Sequence, residues 1–183
     1  SVKLGEERQS FALPEAVEEN GVAMDFYRYR KLWERYCESV AIKNGLTLGE
    51  VLVLLYLKQS FAVTEIGQLS ELAGMTKRSI GTALQKLEKR QMLRRVPIKV
   101  VREAKRTSKQ KQESRTTKRG GWQFELMPEA EPVLRDLELA EKDFETVRLR
   151  RFTEQEKKAY LELTEKLNEN VKDILRDRIT GES

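Results

Sequence analysis

Apolar residues recur every three or four positions along most of this chain, and the recurrence gives way to alternation in one short stretch. From Asp25 the spacing Phe26, Tyr29, Leu32/Trp33, Tyr36 and Val40 predicts a helix that Asn44-Gly45 ends near Lys43. Thr47-Leu-Gly-Glu50 has the form of a capping box, in which the threonine and glutamate side chains take up each other's free backbone N–H groups. It should open a second helix over 51–57, apolar nearly all round and therefore buried. Thr64 to Ala73 sets Ile66, Leu69, Leu72 and Ala73 on one helical face, and Gly74-Met75 breaks that helix. Thr76 then caps a further helix with Ile80, Ala83, Leu84 and Leu87 as its inward stripe. Residues 94–101 read as a strand in which Pro97 fits only an edge or a bulge, and Trp122 to Leu126 alternates as its returning partner. Pro128 suits the first turn of a long helix. Its Ala130, Val133, Leu137, Ala140, Phe144 and Val147 form a coiled-coil-like seam. A second capping box, Thr153 to Glu156, opens a last helix striped by Tyr160, Leu163, Leu167, Val171 and Ile174.

These elements predict a mainly α fold with a small β-wing: a winged helix-turn-helix carrying N- and C-terminal dimerisation helices. The boundaries that follow are an N-terminal arm over 1–24, a helical dimerisation region over 25–45 and 128–178, and a winged unit over 46–127 with a long wing over 94–126. In such a unit the second helix of the pair enters the DNA major groove. Its outward face here would present Thr76, Lys77, Arg78, Ser79, Thr82, Gln85 and Lys86. A winged unit needs little of the terminal stripes for its own core. The seam from Val133 to Val147 is therefore expected to pair with a second copy of the chain, and a symmetric dimer suits a palindromic site.

Charge sharpens that picture. Residues 102–121 hold eight cations (Arg102, Lys105, Arg106, Lys109, Lys111, Arg115, Lys118 and Arg119) against Glu103 and Glu113. That local excess of six exceeds the net charge of +5 for the whole chain, so everything outside the segment sums to −1. With Ala104 as its one apolar residue the segment cannot bury itself, and it reads as an electrostatic footprint for phosphates.

Composition removes other classes. The chain has no histidine, which excludes a Ser-His-Asp triad, a Cys-His pair and an HExxH metal site. One cysteine, Cys37, excludes an intrachain disulfide and a thiolate cluster. No glycine-rich phosphate loop stands out. The expectation is a protein that is not an enzyme and that needs no cofactor or metal. The longest apolar run, 51–57, is too short for a membrane, and nothing at the start reads as an export signal, so the expected compartment is the cytoplasm. The aromatic residues Tyr29, Trp33, Tyr36 and Tyr56 admit two readings: core and dimer packing, or the lining of a small-molecule effector pocket.

The order of elements resembles the MarR (multiple antibiotic resistance regulator) family of bacterial transcription factors over roughly 25–175. The resemblance rests on Gly45-Leu46-Thr47 before the second helix, Leu69-Ser-Glu-Leu-Ala-Gly-Met-Thr76 through the turn, and Leu87-Glu-Lys89 with Met92-Leu-Arg-Arg95 into the wing. Leu126-Met-Pro-Glu-Ala130 and Phe152-Thr-Glu-Gln-Glu156 resemble the family's segments after the wing and before its last helix. It implies an obligate homodimer joined by the terminal helices, recognition helices in successive major grooves, and release of DNA under control of a ligand or oxidant. Arg95 matches the family's arginine after the recognition helix, where it holds either the wing or a phosphate. Gln91 stands where the family often has glycine, and the basic loop replaces its Asp-x-Arg-Arg wing tip. Cys37 lies near the end of the first helix, whereas the peroxide-sensing branch keeps its cysteine nearer the start.

The sequence thus points to a homodimeric repressor that binds double-stranded DNA at a palindromic operator and is released by a small effector. Two rivals stand beside it. One is a plasmid or phage replication initiator or architectural DNA binder built on the same winged module. The other is a helical interaction adaptor without DNA binding.

Overall fold

The computed structural model describes residues 20–60, 65–97 and 122–180, with side chains up to 177. The arm residues 1–19, Thr64, the strand extension 98–101 and all eight loop cations lie outside the described residues.

Helix α1 spans Val22–Asn44, starting three residues before the sequence pattern suggested, and Gly45 ends it in the left-handed conformation. Helix α2, Leu48–Gln59, opens on the expected capping box. Thr47 Oγ1 accepts from the Glu50 N–H at 3.2 Å, and the Glu50 carboxylate accepts from the Thr47 N–H at 3.3 Å. Helix α3 is short, Ile66–Ala73, and Gly74 ends it. Helix α4, Lys77–Lys89, begins at Thr76, whose hydroxyl accepts from the Ser79 N–H at 3.1 Å. Strands β1 (Leu93–Pro97) and β2 (Trp122–Leu126) pair antiparallel, from Leu93 opposite Leu126 to Pro97 opposite Trp122. A short 3-10 turn, Pro128–Ala130, leads into α5 (Glu131–Arg148), and α6 (Glu154–Thr180) opens on the second capping box.

The chain divides into two compact units, 1–140 and 141–183, with the boundary inside α5. In the first, the core draws Cys37, Val40 and Ala41 from α1, Val51, Val53, Leu54 and Leu55 from α2, and Leu69 from α3. Ile80, Ala83, Leu84 and Leu87 of α4 complete it with Leu93 and the start of α5. The stripe expected on α4 is therefore the stripe it buries. Leu72 is the exception on α3: it is exposed, and Leu69 alone in that helix is fully buried. In the second unit the Arg148 guanidinium lies over Phe144 and Tyr160 and donates to the Tyr160 hydroxyl at 3.0 Å.

One expectation fails. The seam Val133, Leu137, Ala140 and Phe144 is not left open for a partner: these residues are buried within the single chain, Phe144 to 3% exposure. Leu139 of α5 is exposed off the seam, and the larger exposed apolar stretches are on other helices. Val22, Phe26 and Tyr29 stand exposed at the start of α1, and Leu163, Leu167, Val171 and Ile174 stand exposed along α6. Helical periodicity marks which residues share a face, but it does not say whether that face meets the same chain or another.

Candidate nucleic-acid interface

Burying Ile80, Ala83, Leu84 and Leu87 fixes the roll of α4, so Lys77, Arg78, Ser79, Thr82, Gln85 and Lys86 emerge on the outside, all exposed. Along this face the hydroxyls are partly committed. Thr76 Oγ1 donates to Ser79 Oγ at 2.8 Å, which leaves the Ser79 proton free to donate outward. Thr82 donates back to the Arg78 carbonyl at 3.1 Å, so it offers lone pairs and a methyl group. Lys77 turns along α3, where a Cβ on Gly67 would meet its Cε at 3.6 Å. Arg78 and Lys86 flank a cleft of about 290 Å³ between the start of α2 and the outer face of α4, also lined by Thr47, Met75, Ser79 and Thr82. Glu50 lines the same cleft at 5% exposure, held by its capping role. Sequence reasoning saw Glu50 as a cap and missed its place beside the outer face of α4.

Arg95 faces inward. Its Nε lies 3.3 Å from the Glu88 carboxylate without hydrogen-bond geometry, and its guanidinium stacks over the Phe124 ring at 5.9 Å. It ties the end of α4 to both strands, which is the wing-holding alternative. Arg94, across from Glu125 in the register, pairs with it at 2.8 Å on the outside of the hairpin. The cations from Arg102 to Arg119 lie outside the described residues, so the geometry brings together the α4 face and the root of the wing only.

Trp33, Tyr36 and Tyr56 are partly buried and pack against the core, while Tyr29 is half exposed nearer the start of α1. That arrangement fits the packing reading of the aromatic set. Cys37 is fully buried beneath them, and burial, with Glu34 nearby, pushes its thiol up to about 12. A thiol held neutral in the core is a poor redox sensor. No group of histidine, cysteine and carboxylate side chains able to hold a metal is found among the described residues. No single described helix is long and apolar enough to cross a membrane.

Sequence reasoning also missed Arg90. Its guanidinium donates to the carbonyls of Gly45 at 2.9 Å and Asn44 at 3.2 Å, joining the end of α4 to the end of α1. Nothing in the local run Lys89-Arg90 signals a partner 45 residues away.

No protein-family sequence model matches the chain, and no curated protein matches it by sequence. Solved structures do match its fold. A MarR-family transcriptional regulator from Silicibacter pomeroyi superposes with TM-score 0.57 at 17% identity, over 81% of this chain and 88% of the other. A Mycobacterium tuberculosis MarR-family protein solved in complex with DNA gives TM-score 0.53 at 18% identity, over 81% and 98%. The same protein in complex with salicylic acid gives 0.56 at 19% identity, over 82% and 98%. With helix-turn-helix, hairpin and flanking helices in the same order, the chain has the winged helix fold of the MarR-family regulators.

Proposed function

We propose that the chain is a DNA-binding transcription regulator of the MarR type and not an enzyme. The observation that carries the reading is the division of α4: one face locked into the core, the other exposed with Arg78 and Lys86 beside a cleft and the partly committed hydroxyl groups of Ser79 and Thr82 between them. A helix so rolled presents side chains that can read base edges, while the basic segment 102–121 supplies attraction to phosphates. The solved neighbour bound to DNA supports this reading by analogy of fold.

The working form is a homodimer acting as a repressor at a palindrome and released by a small ligand. The exposed apolar residues of α1 and α6 support the dimer, because side chains such as Phe26 at 69% and Leu167 at 61% exposure are costly to leave in water. The neighbour holding salicylic acid supports a small aromatic acid as effector.

Selection from a random DNA pool tests the reading. A two-fold symmetric consensus is expected, and Arg78→Ala should weaken it more than random DNA, by about 1–3 kcal/mol for a good base contact. Failure to enrich any sequence would overturn the reading. Light scattering tests the dimer: a Leu167→Glu, Val171→Glu double variant should halve the molar mass, and a wild type already monomeric at micromolar concentration refutes it.

A further inference from the structure

The last carbonyls of a helix have no partner within it, and they carry the negative end of its dipole. At the end of α1 the turn at Gly45 satisfies two earlier carbonyls: the Gly45 N–H donates to Ile42 and the Leu46 N–H to Ala41. Arg90 takes the carbonyls of Asn44, the last residue of α1, and Gly45, its cap. A planar guanidinium suits two neighbouring acceptors, whereas an ammonium is a point charge without that fork. The same Asn44 turns its side-chain amide the other way, to Asp136 on α5 at 3.0 Å and to its own helix at Val40 at 2.9 Å. Lys43 adds an ion pair to Asp136 at 2.8 Å, and these contacts hold the Asp136 carboxyl below the usual carboxylate range, the lysine first and the asparagine second. Three helices that share no sequence neighbourhood therefore meet at one residue: α4 at the Asn44 backbone, α5 at its side chain, and α1 itself.

We propose that Arg90 is a positioning residue for sequence recognition. It fixes the end of α4 to α1 and so sets the angle at which the outer face of α4 meets a duplex. Arg90 lies one residue beyond the last turn of α4 and commits two of its five N–H donors to protein carbonyls, one from each terminal nitrogen. Without the clamp, α4 remains packed through its inward stripe and tied to the strands through Glu88 and Arg95, but its end loses the tie to α1. Base readout needs a fixed angle; attraction to phosphates does not. The proposal rests on the DNA-binding reading above, and the experiment separates the two.

The experiment compares wild type, Arg90→Ala and Arg90→Lys on the selected site and on random DNA across a range of salt, with circular dichroism to confirm folding. Arg90→Ala is expected to lower the ratio of specific to random affinity by about tenfold, equivalent to about 1.4 kcal/mol. The slope of log affinity against log salt on random DNA should stay as in wild type. Arg90→Lys should recover part of the ratio, and if Arg90→Ala does not fold, Arg90→Lys alone carries the test through an intermediate ratio. Equal weakening on both DNAs with a slope reduced by about one would make Arg90 a phosphate-binding residue and overturn the proposal. An unchanged ratio in Arg90→Ala, or full recovery by Arg90→Lys, would overturn it too, the latter because charge without the fork would then suffice. A wild type that binds neither DNA fails the functional reading itself, a different result from either of these.

Discussion

Gln91→Gly is expected to stabilise this protein, and the structure supplies both the reason and the control. Three helices end in the same way. After α1 the Leu46 N–H reaches back to the Ala41 carbonyl, after α3 the Met75 N–H reaches Ser70, and after α4 the Met92 N–H reaches Leu87. Each closure needs one residue in the left-handed conformation. Gly45 at φ 65° and Gly74 at φ 63° provide it in the first two, and Gln91 at φ 61° in the third. A side chain there costs about 1–2 kcal/mol, because Cβ crowds the backbone. Glycine relieves that cost but returns about 0.4–1 kcal/mol as added freedom of the unfolded chain. The net gain is about 0.5–1 kcal/mol, or roughly 1–4 °C in melting temperature for a chain of this size. Gln91 is exposed, so no packed side chain is removed. The mirror experiment is Gly45→Ala and Gly74→Ala. No atom lies within 4 Å of a Cβ at either position, so their cost should be backbone strain alone and similar in size with the opposite sign. Thermal and urea unfolding followed by circular dichroism would measure all three. If Gln91→Gly melts at or below wild type while the alanine variants lose stability, the left-handed conformation is not what limits this turn.

The Cys37 thiol should resist a soluble disulfide reagent in the native state and react at once in urea, since it is fully buried; stoichiometric native labelling would contradict its placement. Its folded pKa, raised to about 12, lies above the unfolded value of about 8.5, so its contribution to stability is complete below that value and is lost as pH rises towards 12. Cys37→Ala should flatten this alkaline decline, and a Cys37→Ala curve parallel to wild type would refute the assignment. Asp136 has its pKa lowered by Lys43 and Asn44, so its stabilisation is present above the ordinary carboxylate range and fades as pH falls through the folded value. Asp136→Asn should cost stability at neutral pH and less at strongly acid pH, a convergence that unfolding curves would reveal or refute. Replacing 102–121 by a short glycine-containing turn should flatten the salt dependence of DNA binding by about 0.9 for each phosphate that the protein no longer neutralises, and should weaken specific and random DNA alike. An unchanged slope would mean that the eight cations do not engage the duplex.

The fold was legible wherever a local rule decides the outcome. Both Thr-x-x-Glu boxes open helices because a cap is settled within four residues, and the α4 stripe is buried as its periodicity required. The α5 seam was misread because the same periodicity serves a face buried at home and a face buried against a partner. At the candidate interface, the outward α4 residues followed from the inward ones by geometry alone. Arg90, Asp136 and the cleft side of Glu50 did not, because each acts on a residue or element distant in sequence. Arg95 had two readings in the sequence, and Glu88 with Phe124 supplies the partners that favour its structural one.

The hairpin register has a consequence for how such a chain can change over generations. Among the described residues its outermost rung pairs Pro97 with Trp122, so these two positions are held side by side whatever residues lie between them. For a flexible connection between fixed ends in general, added length costs little, about 0.6 kcal/mol for each doubling. Insertions, deletions and charge changes between these anchors can therefore accumulate without disturbing a residue of the core. If the proposed function holds, lineages carrying this hairpin can retune their attraction to a polyanion by drift in one segment, while the outer face of α4 stays under separate selection.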